Sequence, residues 1–474
     1  MKKRVVIIGA GPAGLTAGIE LLKRSDHEVK ILERDNIIGG LARTNDYKNY
    51  KFDIGPHHFI TEKPEIEKWW KDLMGPDFIK HHRFTRILYK KKYFNYPLNG
   101  LNVIRNLNIF ECVSCVLSYV KYRFFPIKDI KSFEDWVINK FGKRLFNIFF
   151  KTYTEKVWGI PCNKISSDWA SQRIKGFSMS KAIFYAFFGK WFKKNAPRTL
   201  SDEFYYPPNG SGQLWNRVAD NIKSNNDGDI LLNQNVVSIK HNDGQVNAVL
   251  TKNNNNAESS LLNRYNAQSF LSSMPLQALI NALKPLPEKK VLDAANSLVY
   301  RGLITVNLVI DKENIFPDHW VYIHDKDVKM GRIGNMGNFS EGMLGNKKHS
   351  TLSLEYFTYV GDEIWNASEE DLIALGKKEL SVLGIAKEEQ ILDGIVIKSP
   401  EAYPVYDENY QEHLNIVLGY LSNFSNLNLM GRNGMHRYNN MDIAMLSAFK
   451  AVDQILLKPD FDILEKSITS ETTL

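Results

Sequence analysis

The feature that most constrains the fold of this 474-residue chain is a glycine-rich motif that directly follows an apolar segment near its beginning. Arg4–Gly9 reads R-V-V-I-I-G, which is typical of a buried parallel strand. The motif G-x-G-x-x-G falls on Gly9, Gly11 and Gly14, and a helical pattern continues to about Lys23. A strand, a glycine turn and a helix in this order predict a Rossmann-like unit.

The acidic residue expected at the end of such a unit is Glu33. A second predicted strand, Glu28–Leu32, ends directly before it, and Glu33 lies 24 positions after Gly9, close to the roughly 20 typical of dinucleotide-binding units. In such a unit the glycines permit a tight turn, close approach of the backbone to a pyrophosphate, and close helix–strand packing. The helix N-terminus offers N–H groups to phosphates, and a carboxylate accepts hydrogen bonds from ribose hydroxyls. We therefore predict that a dinucleotide binds at Gly9, Gly11, Gly14 and Glu33.

A second pair of glycines, Gly39 and Gly40, follows in the sequence G-G-L-A-R-T. This pair resembles the second glycine pair of FAD proteins in the amine oxidase superfamily. In that superfamily the pair lets the backbone pass close to the pyrophosphate and the ribityl chain. The resemblance implies that the dinucleotide is FAD rather than NAD.

The composition is that of a globular protein with a basic surface. A chain of 474 residues can hold two or three domains. The formal net charge of +8 favours an anionic ligand, nucleic acid or a membrane surface as partner, and it also fits a surface of solvated lysines. The sequence contains no nucleic-acid-binding motif, so we expect a small-molecule substrate and no nucleic-acid partner. The oligomeric state stays open.

The three cysteines, Cys112, Cys115 and Cys162, are too few for a disulfide framework and fit a reducing compartment. Cys112 and Cys115 form a C-x-x-C pair within an apolar, helix-like run. Redox pairs have this spacing, but it also places both residues on one face of a helix. Because the run lacks the neighbouring βαβ pattern of a redox motif, we predict that this helix packs in the core.

Two segments bear on the cellular location. Lys2-Lys3-Arg4 precedes apolar residues as in a signal peptide, but the glycine motif accounts for this segment and no cleavage site follows. No uncharged apolar run approaches the roughly 18 residues needed to span a bilayer, so we expect a cytoplasmic protein. The basic, aromatic segment Lys181–Lys194 could lie on the inner face of a membrane. We favour the alternative, in which its aromatic residues face the core and its lysines are solvated.

Four of the eleven histidines form two adjacent pairs, at 57–58 and at 81–82. Neither pair has a third ligand at a suitable spacing, so we predict no metal site. Gly55-Pro56-His57 predicts a backbone turn, which is a good place to approach a flat ring.

The order of the predicted elements indicates an α/β fold with three units and a tail. A Rossmann-like FAD-binding domain of the glutathione reductase type would be discontinuous, because a strand, a glycine turn and a helix return late in the chain. The other two units would be a helical insertion and a substrate domain with a mixed or antiparallel sheet. The predicted boundaries are, in that order, 1–88 with 205–284 and 412–460, then 100–204, then 89–99 with 285–411, and 461–474 for the tail.

Four further motifs are similar to those of one family. They are Y-T-E-K-V-W-G at 153–159, F-N-Y-P-L-N at 94–99, Y-P-V-Y-D at 403–407 and G-R at 431–432. Through them the chain resembles the UDP-galactopyranose mutases, within the wider FAD amine oxidase superfamily, over nearly its whole length. The first motif is the most telling, since the wider superfamily generally lacks it.

The resemblance implies a substrate site with two arginines. Arg173, in Q-R-I, and Arg332, in G-R-I-G-N, match the arginines that clamp the substrate diphosphate in the mutases. A planar guanidinium is permanently charged and can grip phosphate oxygens with two parallel bonds. Tyr403 would line the same site.

The resemblance also assigns residues around the flavin. Trp158 and Asn95 would lie near the sugar and the flavin, and His57 beside the isoalloxazine ring. Arg432 would lie near the flavin as well. We assign Asp442 to the cofactor site too, as the predicted N-cap of the late helix.

Two functions follow from these observations. In the mutases, reduced flavin acts on a nucleotide-activated sugar and contracts its ring, which would here serve surface glycan synthesis. The alternative is an FAD-dependent oxidoreductase of the amine oxidase, protoporphyrinogen oxidase or desaturase type, acting on an apolar or glycan-linked substrate. G-G-L at 39–41 and G-P-H at 55–57 have the form usual in those oxidases, and Ile60 stands where the mutases commonly have a histidine.

Overall fold

The protein is represented by a computed structural model, which describes residues 2–98, 100–167, 203–255 and 261–456. Arg173, the segment Lys181–Lys194 and the predicted tail 461–474 lie outside these ranges. The strands are β1 (Arg4–Ile8), β2 (Glu28–Leu32), β3 (Thr44–Tyr47), β4 (Tyr50–Asp53), β5 (Ile79–His82), β6 (Thr85–Tyr89), β7 (Lys92–Asn95), β8 (Glu203–Tyr206), β9 (Gly228–Leu231), β10 (Gln234–Asn242), β11 (Gln245–Asn253), β12 (Leu262–Asn266), β13 (Ser269–Ser272), β14 (Leu283–Lys284), β15 (Tyr300–Ile310), β16 (Trp320–Ile323), β17 (Arg332–Asn335), β18 (Ser350–Thr358), β19 (Ile391–Pro404) and β20 (Leu427–Leu429). The helices are α1 (Pro12–Arg24), α2 (Pro64–Met74), α3 (Gly100–Asn106), α4 (Ile109–Phe124), α5 (Phe133–Phe141), α6 (Lys143–Phe149), α7 (Lys151–Trp158), α8 (Gly212–Lys223), α9 (Leu276–Ala282), α10 (Lys289–Asn296), α11 (Met336–Phe339), α12 (Glu363–Asn366), α13 (Glu369–Leu383), α14 (Tyr410–Leu421), α15 (Gly431–Gly434) and α16 (Met441–Leu456).

The glycine motif leads out of the central strand of a parallel sheet. The strand order is β20-β13-β1-β2-β9, and all four pairings are parallel. Alternate residues of β1 face two different cores, Val5 and Ile7 on the side of α1 and Val6 and Ile8 on the side of α9. This burial on both faces explains why the strand is an uninterrupted apolar run. The predicted α/β class with a Rossmann-like sheet is confirmed.

A larger, mixed sheet forms the second layer of the molecule. Its order is β19-β15-β18-β17-β16-β6-β7, and every pairing is antiparallel except that of β16 with β6. β15 and β18 are buried along their whole length. α13 packs against β15 and β19 and closes one side of this core. A four-stranded sheet, β12-β11-β10-β14, extends from the parallel sheet.

Helices α3 to α7 follow β7 and form the described part of the predicted helical insertion. α4 packs on α5 and α6. The prediction that the C-x-x-C helix packs in the core is wrong, because α4 has no buried residue. Cys112 and Cys115 are half-buried free thiols on its inner side, as their spacing indicated, but the more apolar side of the helix faces outward. Burial raises the pKa of the Cys115 thiol to about 11, which makes it a poor nucleophile.

Within the described ranges, no helix is both long enough and apolar enough to cross a membrane.

Candidate active site

The loop between β1 and α1 has the geometry that a dinucleotide requires. Gly9 has a φ of +99°, and a Cβ atom there would lie 2.3 Å from Ser273 Oγ. A Cβ atom at Gly14 would lie 1.9 Å from the carbonyl oxygen of Gly9. Both positions therefore require glycine. α1 begins at Pro12 with Gly11 as its N-cap, and its first N–H groups lack partners within the helix, as a phosphate site needs.

The second glycine pair lies directly against this loop. Gly39 N–H donates a hydrogen bond to the carbonyl oxygen of Ala10 (2.8 Å). A Cβ atom at Gly40 would lie 3.2 Å from the Cα atom of Gly11, and both Gly39 and Gly40 have positive φ values, +95° and +53°. Two backbone segments far apart in sequence thus form one cradle without side chains.

Glu33 closes the cradle at the end of β2. Its Oε2 accepts a hydrogen bond from Ala10 N–H (2.7 Å), and its Oε1 accepts one from Asp35 N–H (3.0 Å). Burial raises the pKa of Glu33, although these two hydrogen bonds act in the opposite direction. A carboxylate oxygen can accept a second hydrogen bond, so Glu33 can still accept hydrogen bonds from ribose hydroxyls.

Two observations indicate that the residues of this site can hold an FAD molecule. The cradle of Gly9, Gly11, Gly14 and Gly40 is closed to any Cβ atom at Gly9 or Gly14. In addition, among the described residues, His57 Nδ1 and Asn433 Oδ1 are buried and have no hydrogen-bond partner. Buried polar atoms are nearly always hydrogen-bonded in folded proteins, and these two, on the predicted flavin turns at 55–57 and 431–433, have capacity left to bond a polar ligand.

The late glycine turn returns the chain to the cofactor side. Gly431 has a φ of +76°, and its N–H donates to Ser447 Oγ (2.8 Å). Arg432 Nη1 donates to the carbonyl oxygen of Ala402 (2.9 Å), and Arg432 Nε donates to that of Asn439 (3.0 Å). Its guanidinium also lies 4.9 Å from the ring centre of Tyr438. Arg432 is thus held by backbone carbonyls and supports an aromatic ring.

Asp442 is not the N-cap of the last helix, because α16 begins one residue earlier, at Met441. Its side chain is fully buried in the first turn and accepts a hydrogen bond from Thr61 Oγ1 (3.0 Å). A carboxylate in the first turn is favoured by the helix dipole. The sequence pattern placed the helix correctly and missed its start by one residue.

The Gly55-Pro56-His57 turn lies directly on a buried ion pair. Gly55 has a φ of +73°, and a Cβ atom there would lie 3.3 Å from Glu355 Oε2 and 3.4 Å from Arg332 Nη2. Burial, together with the charges of Arg432 and Arg332, lowers the pKa of His57 to about 3. His57 is therefore neutral at physiological pH.

The ion pair itself is formed across two strands. Arg332 on β17 is the register partner of Glu355 on β18. Arg332 Nε donates to Glu355 Oε1 (2.6 Å) and Nη2 donates to Oε2 (2.5 Å), and the glutamate side chain is fully buried. Burial lowers the pKa of Arg332, but the charge of Glu355 outweighs it and the pKa is raised. Arg332 Nη1 makes no hydrogen bond to the described residues.

An aromatic cluster forms another wall of the site. The ring of Trp158 lies 6.2 Å from those of Tyr406 and Tyr438 and 6.4 Å from that of Tyr403. Tyr403 stacks on Tyr438 at 5.5 Å. Burial raises the pKa of Tyr403, so its phenol is neutral. Trp158 and Tyr403, both predicted site residues, are thus brought together.

Tyr153 belongs to a second group of rings. It stacks on His324 at 5.3 Å and lies edge-on to Tyr322 at 5.2 Å, and Tyr322 lies 5.2 Å from Tyr96. Burial raises the pKa of Tyr153 well above its usual value. Asn95 does not join this group, since it is an exposed residue and its backbone N–H donates a hydrogen bond to Asn102 Oδ1 (2.9 Å).

The remaining residues of the Y-T-E-K-V-W-G motif anchor α7. Lys156 Nζ donates to the carbonyl oxygens of Asp325 (2.6 Å) and Met330 (2.9 Å), and burial lowers its pKa to about 8. Glu155 Oε1 accepts a hydrogen bond from Cys162 N–H (3.2 Å). The motif therefore combines site residues with residues that fix the helix on the substrate sheet.

Arg301 secures the end of α7 beside Trp158. Its Nη2 donates to the carbonyl oxygen of Phe357 (2.8 Å), and its Nε donates to that of Val157 (3.2 Å). A Cβ atom at Gly159 would lie 2.4 Å from Arg301 Cζ, and Gly159 has a φ of +68°. The last glycine of the motif is therefore required by both its conformation and this contact.

Sequence reasoning missed two buried charged residues, Glu355 and Arg301. Each is the one charged side chain of its strand, in S-T-L-S-L-E-Y-F-T and in Y-R-G-L-I-T-V-N-L-V-I. Charged residues are almost never fully buried unless paired. A lone charge in a buried strand was thus the available signal.

Among the described residues, no group of three or more His, Cys, Asp or Glu side chains is placed to hold a metal ion.

Comparison with known proteins identifies related sequences. The model of the family described as flavin containing amine oxidoreductase matches residues 12–399. A probable UDP-galactopyranose mutase from Klebsiella pneumoniae is 25% identical over 168 residues, which are 33% of this chain and 41% of that protein. An L-amino-acid oxidase from Crotalus adamanteus is 38% identical over 69 residues, which are 15% of this chain and 13% of that protein. This chain thus matches less than half of the length of either relative.

Solved structures match over nearly the whole chain. The crystal structure of a reduced UDP-galactopyranose mutase has a TM-score of 0.81 at 18% identity, and the match covers 100% of this chain and 96% of that one. A putative protoporphyrinogen oxidase from Exiguobacterium sp. 255-15 has a TM-score of 0.72 at 14% identity, and the match covers 96% and 99% of the two chains. At these identities the likeness establishes the fold.

Proposed function

This chain belongs to the flavin-containing amine oxidoreductase family, and on that premise we propose that it is an isomerase of the pyranose/furanose mutase type, acting on a nucleotide-activated sugar. FAD is its cofactor. The product would serve surface glycan synthesis. We place the enzyme in the cytoplasm, since Cys112, Cys115 and Cys162 are all free thiols.

One observation carries the proposal: a largely buried arginine with an unused donor lies next to the predicted flavin turn, since a Cβ atom at Gly55 would lie 3.4 Å from Arg332 Nη2. Arg332 Nη1 makes no hydrogen bond to the described residues, while Glu355 holds the other edge of the guanidinium at 2.6 and 2.5 Å. A guanidinium fixed in this way keeps two N–H groups for an anionic ligand. In the solved mutase structure and the Klebsiella relative, the substrate named is a nucleotide sugar. Arg173 would complete the diphosphate clamp.

The other residues would orient the substrate and exclude water. When bound, reduced FAD supplies an electron-rich ring to the reacting carbon of the sugar. Trp158, Tyr403 and Tyr438, whose rings pack together, would form an apolar wall that shields this carbon from solvent. His57 stays neutral and can exchange one hydrogen bond through Nδ1 with the cofactor. Arg332 would stabilise the departing diphosphate.

A second candidate, an FAD-dependent oxidoreductase with an uncharged substrate, is favoured by the same ion pair. The negative charge of Glu355 balances the positive charge of Arg332, so the pair as a whole is neutral. A neutral pair beside an aromatic wall suits an apolar substrate as well as an anionic one. The turn at 55–57 and the structural likeness to a putative protoporphyrinogen oxidase support this reading.

The test is a reaction of purified holoprotein with a panel of nucleotide hexoses after reduction by dithionite without oxygen. We expect a ring-contracted isomer, detected by chromatography and mass, with no net change in the oxidation state of the flavin. Stoichiometric reoxidation of the flavin with a product two electrons more oxidised would instead establish the oxidoreductase. Failure of every nucleotide sugar to bind would overturn the isomerase.

The arginine clamp has its own test. Arg173→Ala combined with Arg332→Ala should weaken nucleotide diphosphate binding, measured by calorimetry on the holoprotein. Arg264→Ala serves as the matched control, because Arg264 is exposed and its side chain bonds to Asn266 (2.9 Å) on the surface. Unchanged affinity in the double variant would remove the clamp from the mechanism.

A further inference from the structure

The helix α4 presents an apolar face to solvent. Seven large apolar residues of this helix are between 42% and 83% exposed. With about 100° of rotation per residue, they fall within an arc of about 120° around the helix axis. They are Ile109, Phe110, Val113, Val116, Leu117, Val120 and Phe124. Soluble proteins rarely expose a contiguous apolar patch of this kind without a function for it.

The orientation of α4 is fixed by contacts on its opposite side. Arg144 Nε donates to Glu111 Oε2 (2.8 Å), and the backbone N–H of Arg144 donates to Ser118 Oγ (3.1 Å). A Cβ atom at Gly142 would lie 2.6 Å from the backbone nitrogen of Tyr119. The polar side of the helix is thus tied to α6, and the apolar arc cannot turn inward without breaking these contacts.

Cations border the apolar arc on both edges. Lys121 and Arg123 lie on opposite sides of the arc, each about 20° beyond its edge. Residues 100–151 contain nine Lys or Arg and four Asp or Glu, which gives this stretch +5 of the net charge of +8. Two of its four acids are already neutralised, Glu111 by Arg144 and Asp129 by Lys131.

We propose that the outer face of α4 docks on the surface of a bilayer that contains anionic lipids, with the helix axis in the plane of the interface. A helix with an apolar arc and flanking cations matches the pattern of interfacial helices, whose aromatic and aliphatic side chains enter the acyl region. Lys121 and Arg123 would reach the lipid phosphates. At 16 residues, or about 24 Å, α4 lies along the membrane and does not cross it. The proposal does not depend on the reaction catalysed.

Charge complementarity favours lipid over two other occupants. In a symmetric contact with a second copy, the two cationic borders would face each other and repel. The chain segment 168–202 carries seven Lys or Arg and two Asp or Glu, a net charge of +5, so it does not complement a basic border either. An anionic lipid surface would bury the apolar arc and pair with the cations on its borders at the same time.

The experiment is flotation of the full-length holoprotein with vesicles of phosphatidylcholine, alone or with about one third phosphatidylglycerol. We expect binding to the anionic vesicles, weaker binding to neutral ones, and release as salt is raised. Lys121→Gln and Arg123→Gln should each weaken anionic-vesicle binding about fivefold at low salt. They should leave the FAD content unchanged.

The apolar arc is tested by Val113→Asp combined with Leu117→Asp. We expect at least about a tenfold loss of vesicle binding with an unchanged melting temperature, since both side chains are exposed. The matched control is Val360→Asp combined with Leu392→Asp, which changes exposed apolar residues elsewhere and should bind vesicles normally.

Three results would overturn the proposal. One is the absence of binding to anionic vesicles by the unmodified protein. A second is a dimer in solution that the Val113→Asp and Leu117→Asp changes dissociate, which would assign the face to a second copy. The third is a lower melting temperature of that variant, measured in the absence of vesicles. This result would mean that the protein's own chain covers the face.

Discussion

Arg332 and Glu355 lie opposite each other on antiparallel strands and form two hydrogen bonds, of 2.6 and 2.5 Å, in the interior of the protein. Removing one member of a buried pair leaves the other charge without compensation, whereas replacing both with apolar residues is often neutral. We expect Glu355→Gln to lower the free energy of unfolding by about 3–5 kcal/mol. Denaturant unfolding of the holoprotein measures this.

The double variant Arg332→Met with Glu355→Met is the matching control. It should recover most of the stability lost in Glu355→Gln, because no unpaired charge remains. If the double variant instead loses as much stability as the two single variants together, the two residues do not act as a pair.

Gly14→Ala should abolish FAD binding, because the new Cβ atom would lie 1.9 Å from the carbonyl oxygen of Gly9. The helix would have to move away from the strand, and the phosphate cradle would move with it. Flavin absorbance per chain in the purified protein measures the loss. Gly419→Ala in α14 is the control, since a Cβ atom there meets nothing within 4 Å, and it should retain full FAD occupancy.

Arg301→Ala should loosen the end of α7 and displace Trp158. The change removes donors to the carbonyl oxygens of Phe357 (2.8 Å) and Val157 (3.2 Å), and each hydrogen bond from a charged donor contributes about 1.5–3 kcal/mol. We expect a lower melting temperature together with a fall in substrate turnover. Arg264→Ala, on the surface, should stay within about 0.5 kcal/mol of the original stability. Equal effects of the two changes would contradict a positioning role.

The stability of the protein should fall as the pH drops below about 6.5, the ordinary pKa of histidine. Burial lowers the pKa of five histidines to about 3 or about 4: His57, His58, His319, His324 and His436. Between those values and 6.5 the unfolded chain binds protons that the folded chain does not, so acid favours unfolding. Each histidine contributes a slope of up to about 1.4 kcal/mol per pH unit.

Melting temperatures from pH 7.5 down to pH 4.5 check this prediction. His324→Gln should reduce the pH dependence by the contribution of one histidine. His82→Gln, at a side chain that is 86% exposed, is the control for the loss of an imidazole on the surface. A pH dependence that His324→Gln leaves unchanged would contradict the assignment.

The nucleotide-binding half of the fold was predictable because its signals are local. β1, the glycine turn, α1 and β2 follow one another in sequence, and the close contacts that require glycine at 14 and 40 are made within the same 40 residues. The prediction of FAD and of an α/β fold was confirmed. The roles of all the predicted site residues remain predictions, and Arg173 in addition lies outside the described residues.

The parts that could not be predicted depend on long-range register and packing. Glu355 meets Arg332 only because β17 and β18 align with that register, which the hydrophobic pattern of either strand does not specify. The prediction that α4 packs in the core was wrong for a similar reason. Its sequence has an apolar side and a side with the two cysteines, and periodicity alone cannot tell which of them the rest of the protein covers.

The order of the parallel sheet has a consequence for biosynthesis. β1 is flanked by β13, which the ribosome adds more than 250 residues later, and the outer strand β20 comes only at Leu427–Leu429. The nascent chain can therefore complete the parallel sheet around its first glycine turn only after β20 has been synthesised. We therefore expect chains that stop before β20 to lack the yellow colour of bound FAD, so flavin absorbance can separate them from chains that extend through this strand.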